Sequence, residues 1–166
     1  RLRVSMPVLF GRRCVAPLLL GLARQHAGLS LELSFDDRPV DLAGEGFDLA
    51  VRFGPVPEQG ELVARPIGTD VRMLCAAPAY LAAHGRPRRI ADLADHHGLL
   101  YARGGLVKPW AFLDARGEVA HAPVQSRVRM DDLQALMDAA LAGAGVVGLP
   151  VWLAADALRS GALERV

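Results

Sequence analysis

A chain of 166 residues, 52% of them hydrophobic, is long enough for one domain or two small lobes and apolar enough for a substantial core. Its net charge is +1 and its basic residues are scattered without interleaved aromatics, which argues against a nucleic-acid surface on this piece. No apolar run approaches the ~18 residues of a membrane span, so no membrane partner is expected.

The first element is a strand over residues 2–6, with Leu2 and Val4 on one face. It alternates at once and offers neither the basic n-region nor the apolar h-region of a leader, so the chain reads as a domain beginning inside something longer. Pro7 stops the strand. A helix is expected from about Gly11 to His26, on the apolar positions Cys14, Val15, Leu18, Leu19 and Leu22. Pro17 inside this pattern belongs near the first turns or bends the helix. Residues 29–35 alternate strictly, with Leu29, Leu31, Leu33 and Phe35 on one side, as in a half-buried strand. Residues 40–47 read as a short helix limited by two glycines, and 48–53 as the next strand. The order β-α-β-α-β implies a parallel sheet with right-handed crossovers.

A Pro/Gly loop follows at 54–60, then strands at 62–68 and 71–77. Pro78 opens a helix that Gly85 closes, and 90–96 is a further helical turn. Residues 98–102 form a strand, 103–110 a glycine-rich loop, and 110–130 several short strands, of which 124–130 alternates most clearly. A helix over 131–142, a strand at 146–149, a helix over 150–159 and a last strand at 162–166 complete the chain. The fold class is α/β, and the second half is another α/β lobe. The boundary is expected near 68–71, giving a first lobe of 1–70 and a second of 71–166. In such lobes ligands sit outside the carboxyl ends of strands, and domain interfaces are favoured pockets.

Catalytic signatures are missing. There is no nucleophile elbow, no phosphate loop and no Ser/His/Asp order, so an enzyme is not expected. Cys14 and Cys75 lack CxxC spacing and read as buried free thiols, and the adjacent His96 and His97 lack the i, i+4 spacing of a metal helix. No metal and no cofactor is expected. Gly143, Gly145 and Gly148 do match the G-x-G-x-x-G spacing of a dinucleotide fingerprint. That motif leaves a strand and opens a helix, so that the helix N-terminus faces a pyrophosphate. Here Leu133, Leu136, Met137, Ala140 and Leu141 form a helical stripe before the glycines, and Val146, Val147 and Leu149 form a strand after them. The order is reversed. Gly143 reads as the helix stop, Gly145 as the turn, and Gly148 as a place of close approach.

Taken together, residues 2–19, 31–54, 62–68, 73–85, 91–101 and 131–166 resemble the effector-binding domain of LysR-type transcriptional regulators, collinearly over essentially the whole chain. The specific segments are Glu45 to Gly54, Leu74 to Leu81, and Ala139 to Leu153. The resemblance implies the type 2 periplasmic-binding-protein fold, in which two Rossmann-like lobes joined by crossing strands hold a small effector in the cleft between them. It implies a regulator that forms dimers or tetramers and binds promoter DNA through an N-terminal helix-turn-helix absent from this chain, in the cytoplasm. It also implies a strand and helix beyond residue 166 that complete the first lobe. A transport solute-binding protein shares the fold and is the alternative.

The resemblance points to the turn after the first strand, Ser5, Met6, Pro7, Val8 and Phe10, as effector-binding. Physically that turn offers helix N–H donors for an anion, a hydroxyl and an apolar wall. The plainer reading is that Ser5 caps and Phe10 packs. Phe53 and Gly54 end a strand of the first lobe, and Arg103 ends one of the second, where it can pair bidentately with a carboxylate or remain a solvated arginine. Asp131 and Asp132 start a helix; either can cap it, whereas an Asp131 facing the effector favours a donor or cationic group.

Overall fold

The computed structural model describes residues 1–54, 62–113 and 116–166, and the chain divides into two compact units, Arg1–Gly68 and Thr69–Val166.

In the first unit, β1 (Leu2–Met6) is the middle strand of a parallel sheet, with β2 (Leu31–Phe35) on one side and β3 (Leu49–Ala50) on the other. All strands therefore end on the same edge of the sheet. The core is Val4, Met6 and Ala16, with Leu2, Val15, Leu19, Leu33 and Val51 packed around it. The expected strands over 2–6 and 29–35 are present, the second two residues shorter.

The helix differs from expectation in start and phase. It begins at Val8, directly after Pro7: α1 (Val8–Phe10) runs into a π turn, Gly11–Val15, and then α2 (Ala16–Gln25). Ala16 donates its N–H to the Gly11 carbonyl, five residues back. Pro17 has no N–H, and its ring crowds the carbonyl four residues before it, so a widened turn just upstream relieves the clash. One extra residue rotates the following helix by about 100°, the angle per residue of a 3.6-residue turn. The stripe therefore breaks: Val15 and Leu19 reach the core, whereas Leu18 is 75% exposed and Leu22 40%.

Residues 40–47 form a series of turns, not the expected helix. Asp41 draws the backbone into a turn by accepting the Gly44 N–H at 3.1 Å, and Gly46 takes the left-handed φ of +68°. β3 is shorter than expected, although Val51 donates to the Ser5 carbonyl at 2.9 Å and extends the contact by a residue. Residues 62–68 belong to no strand, and Leu62, Val63 and Ile67 are exposed. Without a partner ladder, alternation there has nothing to pair with. The expected loop at 54–60 lies outside the described residues after Gly54.

The second unit is built on a mixed sheet of order β11-β4-β10-β5-β6, with β9 also paired to β5. Its strands are β4 (Arg72–Ala76), β5 (His97–Arg103), β6 (Leu106–Val107), β9 (Gln125–Met130), β10 (Val146–Pro150) and β11 (Glu164–Arg165). A separate hairpin pairs β7 (Ala111–Leu113) with β8 (Val119–His121). β9 and β10 run parallel to β5, so these three share a carboxyl edge, while β4 runs antiparallel to β10. The expected glycine-rich loop is replaced by a hairpin: Gly104 and Gly105, at φ +57° and +80°, turn β5 into β6.

Helices α3 (Pro78–His84), α4 (Leu133–Leu141) and α5 (Val151–Arg159) cover this sheet together with a 3-10 helix, Ile90–Asp95. Tyr80 ties α3 to the start of β5: its hydroxyl accepts the His97 N–H at 2.9 Å and lies 3.2 Å from Nδ1 of buried His96. The histidine pair thus starts a strand. Cys75 is a fully buried free thiol, pushed up to about 11 by burial, whereas Cys14 is only half-buried, its thiol also raised by desolvation.

The three glycines do what their order implies. Gly143, at φ +79°, donates to the Ala140 carbonyl at 2.9 Å while Ala144 donates to Ala139 at 3.0 Å, a Schellman stop for α4. Gly145 lies against the backbone carbonyl of His97, where any Cβ would collide. Gly148 lies under the Trp110 indole, where a Cβ would sit 2.9 Å from Nε1. The close approach at Gly148 is thus to a side chain.

Candidate functional site

The carboxyl edge of the first sheet gathers the residues that follow β1 and β3. Register pairs Ser5 with Ala50, so the segment after Ala50 runs beside the segment after Ser5. Phe10 and Phe53, named separately from the sequence, meet edge-to-face with centroids 4.9 Å apart. Phe53 remains 51% exposed and supplies an apolar surface, and Gly54 follows it at φ +108°.

The polar centre of this edge is Arg52, which pattern reading passed over. Its Nη2 donates to the Ser5 hydroxyl at 2.7 Å and its Nη1 to the Val51 carbonyl at 2.8 Å. Its Nε is buried and has no partner among the described residues. Burial pushes the guanidinium pKa down, opposed by Asp36, Asp37 and Glu45. The guanidinium is therefore held in place by a buried hydroxyl. The signal in the sequence was an arginine directly after an apolar strand, but only the parallel register shows that it reaches Ser5.

Three groups of the turn are engaged within the unit. Ser5 is fully buried and does not cap the helix; it holds Arg52. Met6 is fully buried with its side chain under Gly11 and beside Phe35, and its carbonyl accepts the Asp36 N–H, so it offers no free group. The Val8 N–H is not an open anion donor, because Asp37 accepts it at 3.0 Å. Pro7 is the extended residue before the helix, at φ −60° and ψ 143°. Asp36 is itself paired: the Arg38 side chain and N–H hold its carboxyl down to about 2.

In the second unit, β5 and β9 carry Arg103 and Asp131 to one edge. Tyr101 pairs with Met130, so Arg103 lies two residues beyond that pair and Asp131 one. Both are exposed, and neither side chain has a partner among the described residues. Asp132 is the helix cap, its Oδ1 accepting the Ala135 N–H at 2.7 Å, which leaves Asp131 uncommitted. At the same edge α5 follows β10, and Trp152 donates its indole N–H to Asp70 at 3.2 Å. Among the described residues no group of three or more His, Cys, Asp or Glu is placed to hold a metal ion.

These arrangements position donors, one uncommitted carboxylate and an aromatic pair, groups suited to holding a small polar molecule. The family model described as LysR substrate binding domain matches residues 1–166. An HTH-type transcriptional regulator of Haemophilus influenzae is 36% identical over 99% of this chain and 57% of its own length. YhjC, an HTH-type transcriptional regulator of Escherichia coli, is 34% identical over 100% of this chain and 56% of its own. The chain thus spans somewhat over half the length of these curated relatives. Among solved structures, the regulatory domain of AphB from Vibrio vulnificus superposes with a TM-score of 0.83 at 26% identity, covering 100% of this chain and 82% of that one. The regulatory domain of CrgA from Neisseria meningitidis gives 0.83 at 27% identity, covering 99% and 79%.

Proposed function

Because this chain belongs to the LysR substrate binding domain family, we propose that it senses a small metabolite for a DNA-binding regulator, through the strand carboxyl ends of its two units. Its fold is the two-lobe, periplasmic-binding-protein-like α/β fold of LysR regulatory domains. The regulator relatives favour this reading over transport of a solute.

The observation that carries the proposal is the set of groups that end β1 and β3: a guanidinium clamped by a buried serine beside an exposed aromatic pair. In the second unit Arg103 and Asp131 supply opposite charges. An effector with both an acceptor and a donor, such as an amphoteric or hydroxylated acid, satisfies both; a bare dianion is disfavoured by Asp131. In the proposed whole protein, a part outside this match reads promoter DNA, the protein is cytoplasmic, and effector binding shifts the population of an oligomer between DNA-binding arrangements.

The test is a thermal-shift screen of small metabolites, since a ligand that binds only the folded state stabilises it by about 2.7 kcal/mol at a hundredfold excess over Kd. The expected outcome is a hit whose stabilisation falls in Phe53→Ala or in Arg103→Ala. A hit unaffected by both substitutions contradicts the placement. The 166-residue chain by itself is expected to give no sequence-specific DNA binding, and tight specific binding contradicts the division of labour.

A further inference from the structure

Asp37 stands on the turn after β2, and its Oδ1 accepts the Val8 N–H at 3.0 Å. The first donor of the segment after β1 therefore already carries a carboxylate. Parallel register sets this turn beside the end of β1: Met6 pairs with Phe35, and Asp36 donates its N–H to the Met6 carbonyl at 2.9 Å. From the β3 side of β1, Arg52 reaches the Ser5 hydroxyl. Asp37 and Arg52 thus flank the residues that lead to the Phe10–Phe53 pair.

The cations of this edge are already engaged. Arg38 donates from Nε and Nη2 to Asp36 Oδ2, at 3.0 and 2.7 Å. Arg52 gives Nη2 to Ser5 and Nη1 to the Val51 carbonyl, and Asp36, Asp37 and Glu45 all bear on it electrostatically. Three carboxylates thus accompany two guanidiniums. An incoming carboxylate approaches Arg52 against the charge of Asp37, at a turn whose first N–H is taken. An uncharged oxygen meets no such repulsion, and the exposed Phe53 offers area to a ring.

We propose that Asp37 is a specificity-determining residue. It stands in for an anion at this edge, so the first unit takes the uncharged, ring- or hydroxyl-bearing part of an effector and rejects its carboxylate. This rests on the proposed strand-end site. Asp37 is exposed, so salt screens its field, and its effect on a ligand is expected to be severalfold and largest at low ionic strength.

Asp37→Asn tests the proposal, because the amide keeps an oxygen for the Val8 N–H and removes only the charge. The probes are benzyl alcohol and benzoate, followed by amide-shift NMR on the 166-residue chain at low salt. In the unsubstituted chain, benzyl alcohol is expected to shift residues 5–11 and 51–54 with roughly threefold higher affinity than benzoate, the size of one screened surface charge. That preference is expected to shrink as salt is raised to about 0.5 M. In Asp37→Asn, benzoate is expected to gain about threefold while benzyl alcohol changes little. Equal binding of the two probes by the unsubstituted chain, a preference indifferent to salt, or no gain for benzoate in Asp37→Asn overturns the role of Asp37 and leaves the strand-end site standing. Failure of both probes to shift residues 51–54 in either protein overturns the role of Asp37 and the first unit's strand-end site together.

Discussion

Ser5 is the most consequential small residue of the first unit. Fully buried, its hydroxyl receives Arg52 Nη2, so removing either partner strands the other in a region with little water. Arg52→Ala is expected to destabilise the first unit by about 1–3 kcal/mol, read as a lower urea midpoint with unchanged slope. Arg52→Lys is expected to recover only part of this, because an ammonium cannot span Ser5 and the Val51 carbonyl with a planar fork. Asp36 supplies a pH-dependent contribution on the same edge. Its folded pKa, about 2, lies below the ordinary 3.8, because Arg38 donates to the carboxylate. The folded state thus favours the charged form, and the stability is fully present above pH 3.8 and lost as pH falls through about 2. A carbon-detected NMR titration is expected to show the low midpoint, and Arg38→Ala to return it toward 3.8. The positions of Phe10, Phe53, Arg103 and Asp131, near strand ends or helix starts, could be named from the sequence with the family resemblance. Arg52 could not, since its role depends on the neighbour that register assigns to it.

At the scale of elements, periodicity located what it could see and missed what proline and pairing decide. β1, α3, α4, α5 and β10 were legible because apolar spacing and terminal glycine or proline agreed. The phase of α2 was not legible, because a stripe drawn at 3.6 residues per turn assumes no π turn, and Gly11–Val15 is one. The strand drawn over 62–68 failed for another reason: alternation describes a strand's faces, not whether a neighbour exists to pair with it. The helix stop at Gly143 and the turn at Gly145 were legible because order outranks spacing, whereas the side chain over Gly148 was not, and the motif makes a graded prediction. Gly143→Ala is expected to cost about 1 kcal/mol, the strain of a left-handed alanine with open space around it. Gly145→Ala is expected to cost more, because its methyl group meets the His97 carbonyl, whose neighbouring backbone starts β5. Thermal denaturation of the two variants side by side checks the order. Equal losses contradict the close approach at Gly145.

At the scale of the molecule, two α/β units end their strands in groups suited to a small polar ligand, and the chain belongs to a family of regulator domains. Fold and family were legible because many short segments agree in order along the chain; no single motif carried either. The identity of the effector was not legible, since it depends on which of Arg52, Phe53, Arg103 and Asp131 a ligand engages. Amide-shift mapping of the metabolite found by the thermal screen tests the central claim most directly. The account predicts saturable shifts at the strand ends, at residues 5–11 and 51–54 of one unit or at 101–105 and 130–132 of the other. Shifts confined to helix surfaces away from these strand ends, with residues 51–54 and 101–105 unmoved at saturation, would contradict it.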